Sequence, residues 1–305
     1  MFRTFLFTVA AGSLAAGPSS TQPVEPQRPA APAGSARSTG SATLPVEWTI
    51  SPTDRDGIVQ LRLAYDRGGR QSNNSRPVPL SELEGLDAAR LAGNGPASFR
   101  FGGEAGTLHC SGTMAGGRGI GTCDFQPDQG FAAELERRGM GRASIEDMYQ
   151  LSVQGVGRDL LSELDRHEYA RPSVRDLVAA GIHGVSADYV REMAASGYRV
   201  GTVERLVEFR IHGVSPHFIR EIAQANPNLV RLHPDRLVEM RIHGVSPELV
   251  RSLNQSGMGD LTPSQIVEMQ IHSVSPDFVR GMAEAGYRDL GQRQLIEMKI
   301  HGVSP

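Results

Sequence analysis

Five of the nine histidines recur at nearly even intervals in the second half of the chain, and imidazole is the side chain most often used to bind zinc or to exchange protons near neutral pH. They are His183, His212, His243, His272 and His301, which stand 29, 31, 29 and 29 residues apart. A period of this length is typical of stacked helical repeats, in which neighbouring units lie about 10 Å apart. Two such histidines cannot share one zinc ion, because zinc ligands lie about 2.0–2.3 Å from the metal.

The residues around each histidine indicate a helix end instead. Glycine follows four of the five histidines, and glycine commonly ends a helix because it adopts the left-handed backbone conformation. These glycines are Gly184, Gly213, Gly244 and Gly302, and Ser273 takes the equivalent place in the remaining unit. A histidine at such an end can bond the last carbonyls or interact favourably with the helix dipole. We therefore interpret these histidines and glycines as the structural signature of a repeat.

Two catalytic motifs begin in this sequence, and neither is completed. The recurring Gly-Val-Ser-Pro string matches the start of the G-x-S-x-G nucleophile motif, but the closing glycine is absent. His167-Glu168 begins the zinc-protease motif H-E-x-x-H, but Arg171 stands where the second histidine is needed. The sequence therefore indicates no catalytic residue, no cofactor and no metal site.

Each repeat has the pattern of two short helices. In the unit that begins at His243, Ser246 is a good N-cap and Pro247 suits the first helical position, and Thr262-Pro263 repeats this start signal. Apolar side chains recur at helical spacing in both segments, namely Leu249, Val250 and Leu253 in the first and Ile266, Val267 and Ile271 in the second. We expect six such units and the start of a seventh within residues 127–305, stacked so that each unit buries the apolar face of its neighbour.

Residues 45–126 have the period of two that is typical of half-buried strands, which is clearest at residues 59–63 and 98–101. Cys110 and Cys123 are the only cysteines, and the midpoint between them falls at Gly116-Gly117, a two-residue hairpin turn signal. The hairpin places the two cysteines opposite each other, and we predict a disulfide rather than a pair of metal ligands. The fold class predicted for the whole chain is α+β, with a small antiparallel β-rich unit followed by an α-solenoid of helix-turn-helix repeats.

The N-terminal residues predict export. Residues 1–17 combine a positive charge, a short apolar stretch and small residues near Ala15, which is the pattern of a signal peptide. The apolar stretch of roughly 12 residues is too short for a membrane-spanning helix, so we expect no membrane span after cleavage. Residues 18–44 are rich in Pro, Ala, Ser and Gly, and we predict a disordered linker there. The formal net charge of −3 gives no electrostatic reason to expect a nucleic-acid partner, and we predict a periplasmic or secreted protein.

One position of the second helix varies while its neighbours repeat, as expected of a surface that faces something other than the core. It holds Arg210, Arg241, Gln270 and Lys299, which we take as the candidate partner surface. Arginine also recurs in the first helix of the units and glutamate in the second. These two columns are either exposed ion pairs, each contributing at most about 1 kcal/mol, or a charged stripe that recognises a partner.

These motifs resemble repeats found in poorly characterised bacterial envelope proteins. The resemblance rests on units of the form His-Gly-Val-Ser-Pro-x-Phe/Leu-Val/Ile-Arg, linked through Leu/Ile/Val-Val/Ile-Glu-Phe/Met-x-Ile. Similar units lie on the C-terminal side of some membrane metallopeptidases of the β-lactam-sensor type, and residues 48–131 resemble what precedes those repeats. The likeness covers most of residues 46–305. The peptidase motif and its membrane helices are missing, so the resemblance implies a sensor or interaction portion without that activity.

Three functions remain open on the sequence alone. The first is an exported, non-enzymatic protein-interaction or scaffold protein, which would use the surface of its helical repeats to bind a protein partner in the cell envelope. The second is a regulatory or inhibitory subunit of an envelope membrane metallopeptidase or sensor. The third is an unrecognised hydrolase, for which His109 is the candidate base in the β-rich unit. Self-association through the uncapped C-terminal repeat is a further expectation.

Overall fold

In the described part of the chain, six antiparallel strands form a single sheet that precedes all of the α-helices but one. The computed structural model describes residues 43–256 and 258–305, so the predicted signal peptide at 1–17 and all but the last two residues of the predicted linker at 18–44 lie outside the described residues. The strands are β1 (Leu44–Pro52), β2 (Ile58–Arg67), β3 (Arg70–Pro79), β4 (Gly95–Gly103), β5 (Gly106–Ala115) and β6 (Arg118–Pro127). Their order in the sheet is β3-β2-β1-β6-β5-β4, so β1 and β6, the first and last of these six strands, pair at its centre.

One face of the sheet is buried and centres on Trp48. In β1 the side chains of Leu44, Val46, Trp48 and Ile50 are buried and those between them are exposed, as the alternation of a half-buried strand requires. The Trp48 indole lies against glycines of β5 and β6, and its Nε1 donates a hydrogen bond to the Ser111 carbonyl at 3.1 Å. A Cβ atom at Gly121 would lie 2.7 Å from Trp48 Nε1, so only glycine leaves room for the ring.

The β5–β6 hairpin has the predicted register and disulfide. Gly116 and Gly117 form the turn, both with positive φ (55° and 79°), which glycine adopts without steric cost. Cys110 lies directly opposite Cys123, with their Cα atoms 3.9 Å apart, and the two form a disulfide on the buried face. The prediction of a disulfide here is therefore confirmed.

Thirteen α-helices follow or interrupt the strands in the described part of the chain. The short α1 (Ala88–Ala92) lies between β3 and β4 and packs on the sheet. The others are α2 (Gln129–Arg137), α3 (Ile145–Val153), α4 (Arg158–Arg166), α5 (Val174–Ile182), α6 (Ala187–Ala195), α7 (Val203–Ile211), α8 (Pro216–Ala225), α9 (Pro234–Ile242), α10 (Pro247–Gln255), α11 (Pro263–Ile271), α12 (Pro276–Glu284) and α13 (Gln292–Ile300). These twelve form six consecutive pairs, and the predicted α+β fold class is confirmed.

The pairs stack so that like helices lie side by side. The first helices α4, α6, α8, α10 and α12 form one layer, and the second helices pack in the runs α3-α5-α7 and α9-α11-α13. Serine or threonine caps most of these helices; the Ser246 side chain, for example, accepts a hydrogen bond from the Leu249 N–H. The 3-10 turn Pro227–Leu229 lies between α8 and α9, in the one interval of 31 rather than 29 residues. A helix of nine residues is marginal alone, so the stability of the array lies mainly in these interfaces.

Helix α3 joins the array to the sheet. The Ser152 hydroxyl donates a hydrogen bond to the Gly106 carbonyl at 2.6 Å and accepts one from the Gly103 N–H at 2.9 Å. The Tyr149 ring meets the rings of Phe125 and Tyr65 edge to face, with centroids 5.6 and 5.2 Å apart. The predicted division between residues 45–126 and 127–305 falls where β6 ends, and both parts belong to the same compact unit.

Candidate interaction surface

The five recurring histidines all occupy the C-cap position of a second helix. They follow α5, α7, α9, α11 and α13 directly. In α7 the His212 N–H donates to the Glu208 carbonyl (3.0 Å), and the Val214 N–H donates to the Phe209 carbonyl (2.7 Å). This six-to-one bond is the Schellman arrangement, which satisfies helix-end carbonyls that would otherwise lack partners. The backbone of each histidine therefore completes the helix end, while its ring lies exposed or half-buried.

The residue after each histidine adopts the left-handed conformation. Gly184, Gly213, Gly244 and Gly302 have φ values of 71° or 72°. Ser273 takes the same conformation with φ 57°, although a side chain disfavours it. The valine that follows is buried in the first four of these units, where it contacts the core and closes the turn.

The variable position, taken from the sequence as a candidate partner surface, contacts the array itself. Arg210 Nε donates to the His183 carbonyl at 3.1 Å, and its guanidinium lies over the Tyr189 ring at 5.0 Å. Arg241 repeats both contacts one unit later, with the His212 carbonyl at 3.3 Å and the Phe218 ring at 4.8 Å.

At the same variable position further along the array, Lys299 Nζ lies 4.8 Å from the Phe278 ring centroid, and Gln270 lies beside Gly244. A cation at the carbonyl end of a helix is favourable, so Arg210 and Arg241 link the end of one unit to the next.

The isoleucine before each histidine is exposed, which the apolar pattern did not predict. Ile271 was expected on the buried stripe of its helix, and the structure shows that this expectation is wrong, because the residue is 54 % exposed. The same holds at each position that precedes a recurring histidine, where Ile182, Ile211, Ile242, Ile271 and Ile300 are all between 54 and 60 % exposed. We call these five residues the isoleucine column. In the first pair of helices the equivalent residue is Val153, which is buried.

A signal for this exposure exists in the sequence. Residues three apart lie on the same face of a helix, and a glutamate stands three residues before four of the five isoleucines, as in the pair Glu268 and Ile271. Glu268 is exposed, so Ile271 beside it faces solvent as well. The buried stripe consists instead of Ile266, Val267 and Met269.

The charges on the second helices near the isoleucine column largely pair with one another. Arg205 contacts Glu208 in its own helix at 2.5 Å and Asp235 in the next unit at 2.6 Å. Arg236 contacts Glu239 at 2.6 Å. These side chains are one-third to three-fifths exposed, so water screens each pair and its contribution is small. Acidic and basic groups therefore balance, and this side of the array carries no strong charge of one sign.

A second ion-pair network lies where the sheet meets the first repeats. Arg158 of α4 contacts Glu104 in the β4–β5 turn at 2.7 Å and Glu134 of α2 at 2.8 Å, and Arg138 also contacts Glu134 at 2.9 Å. Burial alone would raise the pKa of Glu134, but the hydrogen bonds from Arg138 and Arg158 outweigh that effect and lower the pKa below its ordinary value. Arg158 thus links the sheet turn to α2, and the ionised form of Glu134 supplies the α2 side of that link.

The residues considered for catalysis do not form a recognised site. His109 lies on the open face of β5, directly across from Arg100 in β4 and Asp124 in β6. Within residues 43–256 and 258–305, no group of three or more His, Cys, Asp or Glu side chains is placed to hold a metal ion. In the same described residues, no helix has the length and apolar character needed to cross a membrane.

The fold and this surface define a helical-repeat protein built on a small antiparallel sheet. A comparison of the chain with family models, curated proteins and solved structures found no match.

Proposed function

We propose that this chain is an exported, non-enzymatic protein-interaction protein whose docking surface is the isoleucine column of its helical array. The observation that carries the proposal is that an isoleucine more than half exposed recurs at one position in five consecutive units. The fold does not require it, because the helix end is completed by the backbone, the left-handed residue and the buried valine. Exposed apolar groups gathered on one side of a protein are typical of interaction sites.

Two further features support the location and the class. The Cys110–Cys123 disulfide is compatible with an oxidising compartment, which agrees with the signal peptide predicted at residues 1–17. Helical repeat arrays generally act by presenting an extended surface, and the recurring histidines and glycines are used by the helix ends. The resemblance of the repeats to those of bacterial envelope proteins favours a partner in the cell envelope.

Site-specific photo-crosslinking in the producing cells tests this proposal. A benzophenone amino acid placed at Ile242 should capture a protein within the envelope fraction. The same group at Ile120, which is 66 % exposed on the open face of the sheet, is the matched control and should capture much less. Equal capture at both positions, or none at Ile242, would contradict the proposal. Recovery of an envelope metallopeptidase at Ile242 would support the regulatory-subunit hypothesis in particular.

A further inference from the structure

We propose that the partner covering the isoleucine column is a second copy of this chain. The inference rests on the proposed function only in taking the column as an interaction surface. The proposed assembly is a two-fold dimer in which the second helices of one copy face those of the other.

The exposed apolar area of the column can supply a large part of a dimer interface. Each isoleucine leaves slightly more than half of its surface exposed, or roughly 100 Å², so the five together present about 500 Å². Two facing columns would remove about 1,000 Å² from water. The neighbouring histidines and the stems of the paired arginines and glutamates can supply the rest of the roughly 1,200–2,000 Å² that specific interfaces bury.

The repeat itself favours a second copy over an unrelated partner. Within each of the runs α5-α7 and α9-α11-α13 the steps of the column lie on neighbouring packed helices, whose axes are about 10 Å apart, so a partner that contacts a run must present apolar groups at the same interval. A second array has that spacing by construction. In a two-fold dimer the same patch serves both subunits, and such dimers are the commonest form of protein assembly.

The charges near the column are compatible with self-association. Arg205 pairs with Glu208 and Asp235, and Arg236 pairs with Glu239, so neither sign dominates this side of the array. A strongly basic or acidic face would repel its own copy and would select a partner of opposite charge. On a surface without net charge, the match between apolar groups determines which partner binds.

Sedimentation velocity of the purified chain tests the inference. The test variant replaces three steps of the column at once, as Ile211→Gln, Ile242→Gln and Ile271→Gln. Glutamine keeps side-chain length and helix propensity, so the helices should persist. The control variant, Ile120→Gln, removes a somewhat more exposed isoleucine from the sheet face. Circular dichroism and the midpoint of thermal unfolding verify that each variant is folded.

The expected result is a dimer for the native chain and for Ile120→Gln, and a rise of at least about 100-fold in the dimer dissociation constant for the triple variant, because buried isoleucine area drives association. A native chain that stays monomeric up to about 100 µM would overturn the inference, and so would a dimer that the triple variant leaves intact. If the Ile242 crosslinker captures a different protein while the chain is monomeric, the proposed function stands and the dimer does not. If the native chain is monomeric and the Ile242 crosslinker captures no protein, both proposals are wrong.

Discussion

After the second helix of each pair, one residue adopts the left-handed backbone conformation that side chains disfavour. In some units a neighbouring arginine also leaves little room for a side chain at that residue. A Cβ at Gly213 would lie 2.8 Å from Arg241 Nη2, whereas at Gly244 the nearest neighbouring atom, Gln270 Nε2, would be 3.9 Å away. The two glycines have φ values within one degree of each other. Comparing an alanine substitution at each glycine therefore separates the cost of the left-handed backbone from the cost of displacing the arginine.

We predict that Gly244→Ala lowers the free energy of unfolding by about 1–2 kcal/mol, the cost of a left-handed residue with a side chain. Gly213→Ala should cost more, because its Cβ also displaces the guanidinium that bonds the His212 carbonyl. Urea unfolding followed by circular dichroism measures both values. Equal losses for the two variants would show that the Arg241 contact contributes nothing to stability.

At the scale of elements, an ionised carboxylate stabilises the ion-pair network beside the junction between sheet and array. Because the pKa of Glu134 is lowered in the folded protein, the ionised group stabilises the fold at pH values above its unfolded-state pKa, near 4.5. That contribution disappears as the pH falls through the folded-state pKa. The loss therefore follows the protonation of the Glu134 carboxylate.

We predict that Glu134→Gln lowers the midpoint of thermal unfolding at pH 7 and that the difference from the native chain shrinks as the pH falls towards 3. Glu136→Gln is the control, since it changes a half-exposed carboxylate of the same helix and should have little effect at pH 7. A difference between native and Glu134→Gln that is the same at pH 7 and pH 3 would rule out the proposed role of the ionised Glu134.

The sequence predicts those elements whose signals are local. The Gly116-Gly117 turn predicts the register of the hairpin, and the spacing of caps and left-handed residues predicts the paired helices. The pairing of β1 with β6 could not be predicted, because alternation shows that a strand is half-buried but not which strand lies beside it. The contacts of Arg210 and Arg241 could not be predicted from the sequence either, because they depend on how each unit is positioned against the next.

At the scale of the whole molecule, each repeat unit contains residues that hold the array together and residues that face solvent. Stacking uses the apolar residues of both helices, and the helix end uses the left-handed residue and the valine. Neither use involves the isoleucine, which nevertheless recurs in five of the six units. Packing within one chain does not explain its exposure, and the association with another chain proposed above would.

The most direct test of this account is covalent crosslinking through a single engineered cysteine. The chain has only two cysteines and both are in the disulfide, so Ile242→Cys introduces the only free thiol. In a two-fold dimer with parallel columns every step faces its own equivalent, and in an antiparallel dimer centred on the third step Ile242 does so. Mild oxidation or a short bismaleimide should therefore convert most of Ile242→Cys to a species of twice the chain mass, and Ile120→Cys should remain single. A covalent dimer that forms as readily at Ile120→Cys, or does not form at Ile242→Cys, would contradict the assignment of the isoleucine column as the interface.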